Sequence, residues 1–192
     1  MTPTRPPYSG LRCIRCGRVY PLDEIRYECD ACSDILEVTH DFDRLRSDHD
    51  GAGWRLLFDS RLGARTGVHR SGVWRYHELV LPDLPAEMIV TKPEGNTNLY
   101  RSKRLEESSG TSEVRLKHEG ENPTLSFKDR GMTAGVSWAR HLGVRQVACA
   151  STGDTSAAMA AYAAQVDGMR GVVVLPKGKI SVEQLSQPIA SG

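Results

Sequence analysis

Between residues 113 and 176 the chain switches its hydrophobic period four times, and that alternation constrains the fold most. "EVRLKHE" (113–119) alternates apolar and polar side chains, as a strand does. "FKDRGMTAGVSWARHLG" (127–143) repeats its apolar residues at helical spacing and ends on Gly143, a helix stop. "VRQVACA" (144–150) reads as a short buried strand. The Ala-rich "AAMAAYAAQV" (157–166) reads as a helix ended by Gly168, and "GVVVLP" (171–176) as a third strand. Strand, helix, strand, helix, strand with short links predicts an α/β fold with a parallel sheet and right-handed crossovers.

Open parallel sheets bind ligands beyond the carboxyl ends of their strands. Two loops are expected there, "GENPTLS" (120–126) and "STGDTS" (151–156). Each carries small hydroxyls and a glycine and leads into a helix N-terminus, whose free N–H groups and partial positive charge suit an anion. Lys128 falls on the first turn of the helix after the first loop, close to the second. A positive surrounding and partial burial lower an amine's pKa, which suits a nucleophile for Schiff-base chemistry. The same residues also allow a solvent-facing Lys128, and an ordinary helix cap by Ser151 or Asp154.

Four of the five cysteines form two C-x-x-C pairs, Cys13/Cys16 and Cys29/Cys32, with twelve residues between them. In a reducing compartment this pattern reads as four thiolates around a tetrahedral zinc, and four thiolates leave no open position for chemistry. Gly17 permits the tight turn after the first pair, and Ser33 stands in its place after the second. Spare reduced thiols or a redox pair are the other readings. Cys149, inside "VACA", reads as a small buried hydrophobe. The 192 residues are 39% hydrophobic and 26% charged, as in a globular protein, and the net charge of +1 gives no field toward nucleic acid or a membrane. Arg12, Arg15 and Arg18 read as a solvated face; a zinc-ribbon module binding nucleic acid is the alternative class. No apolar run could span a bilayer and "MTPTRPPYSG" lacks the core of a secretory signal, so the expected location is cytoplasmic. The expected organisation is a loose segment 1–10, a zinc-ribbon-like module 11–40 with strands in "RVYPL" and "DILEVTH", and a connector leading into a catalytic region, 41–112. That connector has one helical stretch near "FDRLRS", Trp74, Tyr76, Leu79 and Val80 available for packing, and a short helix stopped by Gly110. The α/β region then covers 113–192.

"ENPTLSFKDRG" (121–131) resembles the lysine motif of pyridoxal-phosphate (PLP) enzymes of fold type II, the tryptophan-synthase-β class, and most of all that of the threonine synthases. "PEGNTNLY" (93–100) is similar to their "GEGNTPL" segment, "STGDTSAAMAAYAA" (151–164) to their "STGNTSA" loop, and "VVVLPKGKIS" (172–181) to the strand and turn that follow. "SGVWRYHEL" (71–79) and the paired cysteines resemble a bacterial subgroup with a cysteine module. The resemblance implies that Lys128 carries PLP as a Schiff base and then serves as acid and base, with Phe127 beside the ring. It implies that Ser151, Thr152, Gly153 and Thr155 cradle the substrate carboxylate or phosphate, and that Asn96 and Thr97 line the substrate side. Asp154 stands where the family often has the Asn that bonds the PLP 3-oxygen, so its carboxyl must be protonated, share a proton or face elsewhere. Asn98 replaces a frequent Pro. Leu125 replaces a frequent Gly and disfavours positive φ, so that loop is expected to bend differently. The implied reaction converts O-phospho-L-homoserine and water to L-threonine and phosphate. Threonine or serine dehydratases and sulfur-amino-acid synthases share the lysine motif, but usually lack the cysteine pairs and the "VWRY" segment. Residues 177–192 match none of the family's second half. The expectation is therefore a truncated N-terminal portion, inactive alone, of an enzyme that is a monomer or homodimer when complete.

Overall fold

A computed structural model of the chain describes residues 7–178 and 181–191. Residues 1–6 of the expected loose terminus, and Lys179 and Ile180 of the "VVVLPKGKIS" segment, lie outside them. The chain divides into two compact units, Met1–Leu62 with Tyr76–Leu84, and Gly63–Arg75 with Pro85–Gly192.

The first unit is built on a three-stranded antiparallel sheet in the order β2-β1-β3: β1 Ser9–Cys13, β2 Val19–Pro21 and β3 Leu36–His40. Leu11 faces Val38 on one side and Tyr20 on the other. β1 begins inside the segment expected to be loose, because the two oxygens of Asp83 accept the backbone N–H groups of Tyr8 and Ser9, each at 2.8 Å. Helices α1 (Phe42–Asp48) and α2 (Gly51–Ser60) follow, where one helix was expected. Gly51 and Gly53 hide the start of α2 from a propensity reading, but Asp50 caps it by accepting from Gly53 N–H at 2.7 Å. Its aromatic stripe stacks Trp54 on Phe58 at 5.5 Å, and Phe58 meets Tyr76 edge-on at 4.9 Å. In the short helix α3 (His77–Val80) Leu79 is exposed rather than packed, and Val80 is half-buried.

In the second unit β4 (Leu99–Arg101) and β5 (Arg115–Lys117) form an antiparallel pair, joined through α4 (Lys103–Ser109). Gly110 ends α4 with φ +69°. The remaining order is α5 (Lys128–His141), β6 (Gln146–Ala150), α6 (Asp154–Ala163), β7 (Arg170–Val174) and α7 (Val182–Ala190). β6 and β7 pair in parallel, from Gln146 opposite Arg170 to Ala150 opposite Val174. The first of the three expected parallel strands, "EVRLKHE", is β5, and it pairs with β4 instead. Central parallel strands are covered on both faces and read as apolar runs, which Arg115 and Lys117 cannot supply. β6 is also less buried than expected, since Gln146, Ala148 and Ala150 are exposed. Cys149 is half-buried, and that burial pushes its thiol up.

Helix α6 is the centre of this unit. Every residue from Ser156 to Ala163 is buried, and its small side chains let neighbours approach from all sides. Val136 of α5, Val90 and Met169 pack with Ala161, Tyr162 and Ala163. The buried polar groups of α5 tie down the segment around residue 90. Thr133 Oγ1 accepts from Trp74 Nε1 (2.7 Å) and donates to the Val90 carbonyl (2.7 Å), while Ser137 Oγ accepts from Val90 N–H (2.8 Å). Among the described residues, no helix is long and apolar enough to cross a membrane.

Candidate active site and cysteine cluster

Lys128 is the first residue of α5 and is half-buried. Two side chains fix the loop that delivers it. Asp129, fully buried, accepts from Thr124 N–H (3.0 Å) and Thr124 Oγ1 (2.8 Å), and Ser126 Oγ accepts from Lys128 N–H (3.2 Å). The Lys128 ammonium lies 4.6 Å from the centre of the Phe127 ring, within cation–π range. Leu125 does adopt positive φ, +63°, against expectation. The Leu125 N–H bond to the Asn122 carbonyl (2.8 Å) closes the turn around a residue poorly suited to it. Leu125 is 67% exposed, so its side chain contributes little packing. Leu125→Gly is therefore expected to stabilise the protein by about 0.5–1 kcal/mol, the left-handed strain of about 1–2 kcal/mol outweighing glycine's entropic cost. Urea melts of the two proteins check this.

The second loop opens α6. Its N-cap residue is Gly153, and no side chain caps the helix, so neither Ser151 nor Asp154 takes that role. Ser151 Oγ instead accepts from Gly153 N–H (3.4 Å), and Ser156 Oγ donates to the Gly153 carbonyl (2.7 Å). Asp154 is exposed in the first turn, and Thr155 is half-buried beside it. Ser151 and Thr152 line a hollow of about 600 Å³ with Ala150, Val174, Leu175 and Pro176. It sits at the carboxyl ends of β6 and β7, where such sheets hold ligands. Lys128, Phe127, Asn96 and Thr97 do not line it. Asn96 is exposed with φ +51°, and its Nδ2 donates to the Arg70 carbonyl at 3.3 Å. Thr97 is buried, and its hydroxyl donates to Glu119 Oε1 at 3.0 Å.

Sequence reasoning missed the polar framework under these loops. Glu94 is fully buried. Its oxygens accept from Ser71 Oγ, Thr91 Oγ1, Lys92 N–H (3.1 Å) and Tyr162 Oη (2.9 Å). Burial, then Glu94, pushes the Tyr162 hydroxyl well above its ordinary range. Its one proton goes to Glu94, which leaves Asp129 Oδ1 buried without a partner among the described residues. Arg130 Nε and Nη2 each bond Glu119 at 2.8 Å, and Asn122 bridges Glu119 to Gly95 N–H (2.9 Å). The signals were faint: an acid beside Gly95, and a lone tyrosine in an alanine-rich helix.

Arg130, with help from Asn122 and Thr97, holds the Glu119 carboxyl down to about 2 from an ordinary 4.5. The depressed value means this contribution to stability is complete above about pH 4.5 and is lost as pH falls toward 2. Glu119→Gln is expected to flatten that part of the acid-unfolding curve, as measured by stability at several pH values.

The four paired cysteines converge, with all Sγ atoms within 4.8 Å of one another. Cys13 and Cys32 are 3.5 Å apart, as are Cys16 and Cys29. Gly17 (φ +74°) and Ser33 (φ +54°) make matching left-handed turns, each returning its N–H to the carbonyl of the first cysteine of its pair. The Tyr20 hydroxyl, 3.1 Å from Cys29 Sγ, is the chief cause that holds that thiol down to about 6. A tetrahedral ion with metal–sulfur bonds of about 2.3 Å needs sulfurs about 3.8 Å apart, so the cluster is of the right size to hold one.

The Pyridoxal-phosphate dependent enzyme family matches residues 90–190, which span both loops. The chain belongs to this family. It is similar to the threonine synthase of Methanocaldococcus jannaschii, 44% identical over 94% of this chain and 41% of the relative. The threonine synthase of Methanosarcina acetivorans is 42% identical over 95% of this chain and 40% of the relative. Threonine synthase 2, chloroplastic, of Arabidopsis thaliana is 45% identical over 90% of this chain and 34% of the relative. The chain thus spans about two fifths or less of these relatives. The residues present fit the family's cofactor in two respects: a half-buried primary amine at Lys128, and a helix N-terminus without a side-chain cap that directly follows Ser151 and Thr152, which line a hollow.

Proposed function

We propose that this chain serves the threonine synthase reaction, in which O-phospho-L-homoserine and water give L-threonine and phosphate. The observation that carries the proposal is 42–45% identity to threonine synthases from two archaea and a plant over at least 90% of the chain. Lys128 would hold the aldehyde carbon of pyridoxal phosphate, with Phe127 beside the ring. When bound, the cofactor supplies an electron sink for charge that develops on substrate carbon. The Lys128 amine, once free, removes the proton from the substrate α-carbon and delivers protons later in the sequence. Ser151, Thr152, Thr155 and the backbone of Gly153 orient the anionic end of the substrate at the start of α6. The exposure of Asp154 supports the option in which its carboxyl faces solvent, where it complements the α6 dipole. Asn96 presents its exposed surface to the substrate side, and Thr97 keeps that loop seated through Glu119.

We also assign Cys13, Cys16, Cys29 and Cys32 to a structural zinc. Cytoplasmic conditions suit this reading, since all four must stay reduced.

Trapping tests the main proposal. The 192-residue chain is incubated with pyridoxal phosphate, reduced with borohydride and mapped by peptide mass. The pyridoxyl group is expected on Lys128, absent from Lys128→Ala, and suppressed by O-phospho-L-homoserine. Labelling scattered over other lysines would overturn the role of Lys128. Suppression by L-threonine or L-serine alone would favour a dehydratase of the same fold.

A further inference from the structure

We propose that the Tyr20 hydroxyl is the outer-sphere hydrogen-bond donor to Cys29 in the metal-bound cysteine cluster, which makes Tyr20 a positioning residue for the ion. The inference rests on the zinc reading above. Tyr20 lies on β2, 7% exposed, packed with Cys13 and Cys29. Its oxygen is held on several sides. It donates to Asp30 Oδ1 at 2.5 Å, accepts from Asp30 N–H at 3.2 Å, and is 3.1 Å from Cys29 Sγ. The Arg26 guanidinium covers its ring at 4.2 Å. The phenol therefore cannot swing away from the sulfur without breaking contacts at both ends.

One phenol proton faces two acceptors, and their needs differ. Asp30 already has Arg18 at 2.9 Å and Arg26 at 3.4 Å, so its charge is compensated without Tyr20. Cys29 Sγ is fully buried. Among the described residues, it is the only sulfur of the four in contact with a side-chain donor other than another cysteine. Metal binding breaks the remaining S–H bonds, sends those protons to solvent and forms four metal–sulfur bonds. The sulfur of Cys29 then has no proton of its own to give, and the Tyr20 O–H turns toward it. Outer-sphere bonds of this kind fix ligand orientation and tune the ion.

The test loads the full chain and Tyr20→Phe with cobalt(II), and measures zinc affinity by competition with a chromophoric chelator. Both proteins are expected to bind one ion with a tetrathiolate charge-transfer band. Tyr20→Phe should bind zinc about 10–100-fold more weakly. Its band should move to lower energy, because a sulfur without its donor gives up an electron more readily. Asp30→Asn, which keeps the hydroxyl, should retain the band position. Unchanged affinity and an unchanged band in Tyr20→Phe would overturn the inference while leaving the metal in place. If Tyr20→Phe fails to load cobalt, 3-fluorotyrosine in the otherwise unaltered chain decides. Its more acidic hydroxyl should shift the band to higher energy, and no shift overturns the inference. A wild-type chain that binds neither ion overturns the zinc reading itself.

Discussion

Replacing Glu94 with alanine is expected to destabilise the protein by about 3–5 kcal/mol, because the loss falls on a buried hub rather than on a single bond. Ser71, Thr91, Lys92 and Tyr162 all donate to this one carboxyl. Truncation leaves the Lys92 N–H without an acceptor and turns the Tyr162 hydroxyl to Asp129, and a buried donor carries its full desolvation cost when unpaired. Ser71 would lose an acceptor while its own oxygen still receives the Val73 and Trp74 N–H groups, each at 3.0 Å. Glu94→Gln should cost less, about 1–3 kcal/mol, since one carboxamide oxygen still accepts but the NH₂ group opposes another donor. The check is the urea midpoint of the three proteins at constant slope. A Glu94→Ala penalty below 1 kcal/mol would show that water enters and replaces the carboxyl.

The backbone around this hub leaves little room for adjustment. Gly72 N–H donates to the Glu94 carbonyl at 2.7 Å, and a Cβ on Gly72 would lie 2.2 Å from Asn96 N. Two chain segments therefore touch without an intervening side chain, and the "SGVW" segment and the "PEGN" loop are held as one piece. Gly95 N–H bonds Asn122, which stands at the start of the loop that leads to Lys128, and Arg130, on the same first turn as Lys128, pairs with Glu119, so the lysine loop is tied to this hub.

Much of the α/β order was legible because its signals are local. Gly110 and Gly143 stop helices wherever they are packed, and both take positive φ, whereas α6 ends at Ala163, before the expected stop at Gly168, which turns the chain toward β7 with positive φ. The helix after Phe127 and the parallel pair β6–β7 follow from period alone. Partner choice was not legible. Alternation identifies "EVRLKHE" as a strand but does not say that "LYR" will be its neighbour, and only the exposed charges of Arg115 and Lys117 argue for an edge position. Helix α2 was hidden because two glycines occupy its first turn, while its real signals are a capping aspartate and an aromatic stripe. Leu125 shows the opposite limit. Its propensity argues against a left-handed turn, yet the bonds from Thr124 to Asp129 close the loop across it and the loop takes that shape anyway. The residues with reactive groups stood out because lysine, hydroxyls and glycine gather at helix starts. Glu94 and Asp129 did not, since an acid in a loop reads as solvated until burial is known.

Withdrawing metal from the cysteine cluster should have the largest effect of all, and it should be confined to the three-stranded sheet. The core at this end consists of Cys13, Tyr20 and Cys29, with Leu11, Cys32 and Leu36 packed around them. Half of those residues are candidate ligands. So small an apolar cluster cannot offset the ordering of β1, β2 and β3 by burial alone. A structural zinc site supplies about 10–16 kcal/mol of apparent binding free energy, and in a site of this kind that is folding free energy. Hydrogen exchange read by mass spectrometry gives the measurement. On stoichiometric removal of the ion, the amides of Ser9–Cys13 and Leu36–His40 should lose protection, and they should regain it when zinc returns. The amides of α6 serve as the internal reference, since that helix is buried by apolar packing in the other unit. Cys29→Ser should reproduce the loss without a chelator. If protection in the sheet survives both treatments, the thiols are spare rather than ligands, and the hydrogen bonds of Asp83 and the antiparallel ladder hold this unit without an ion.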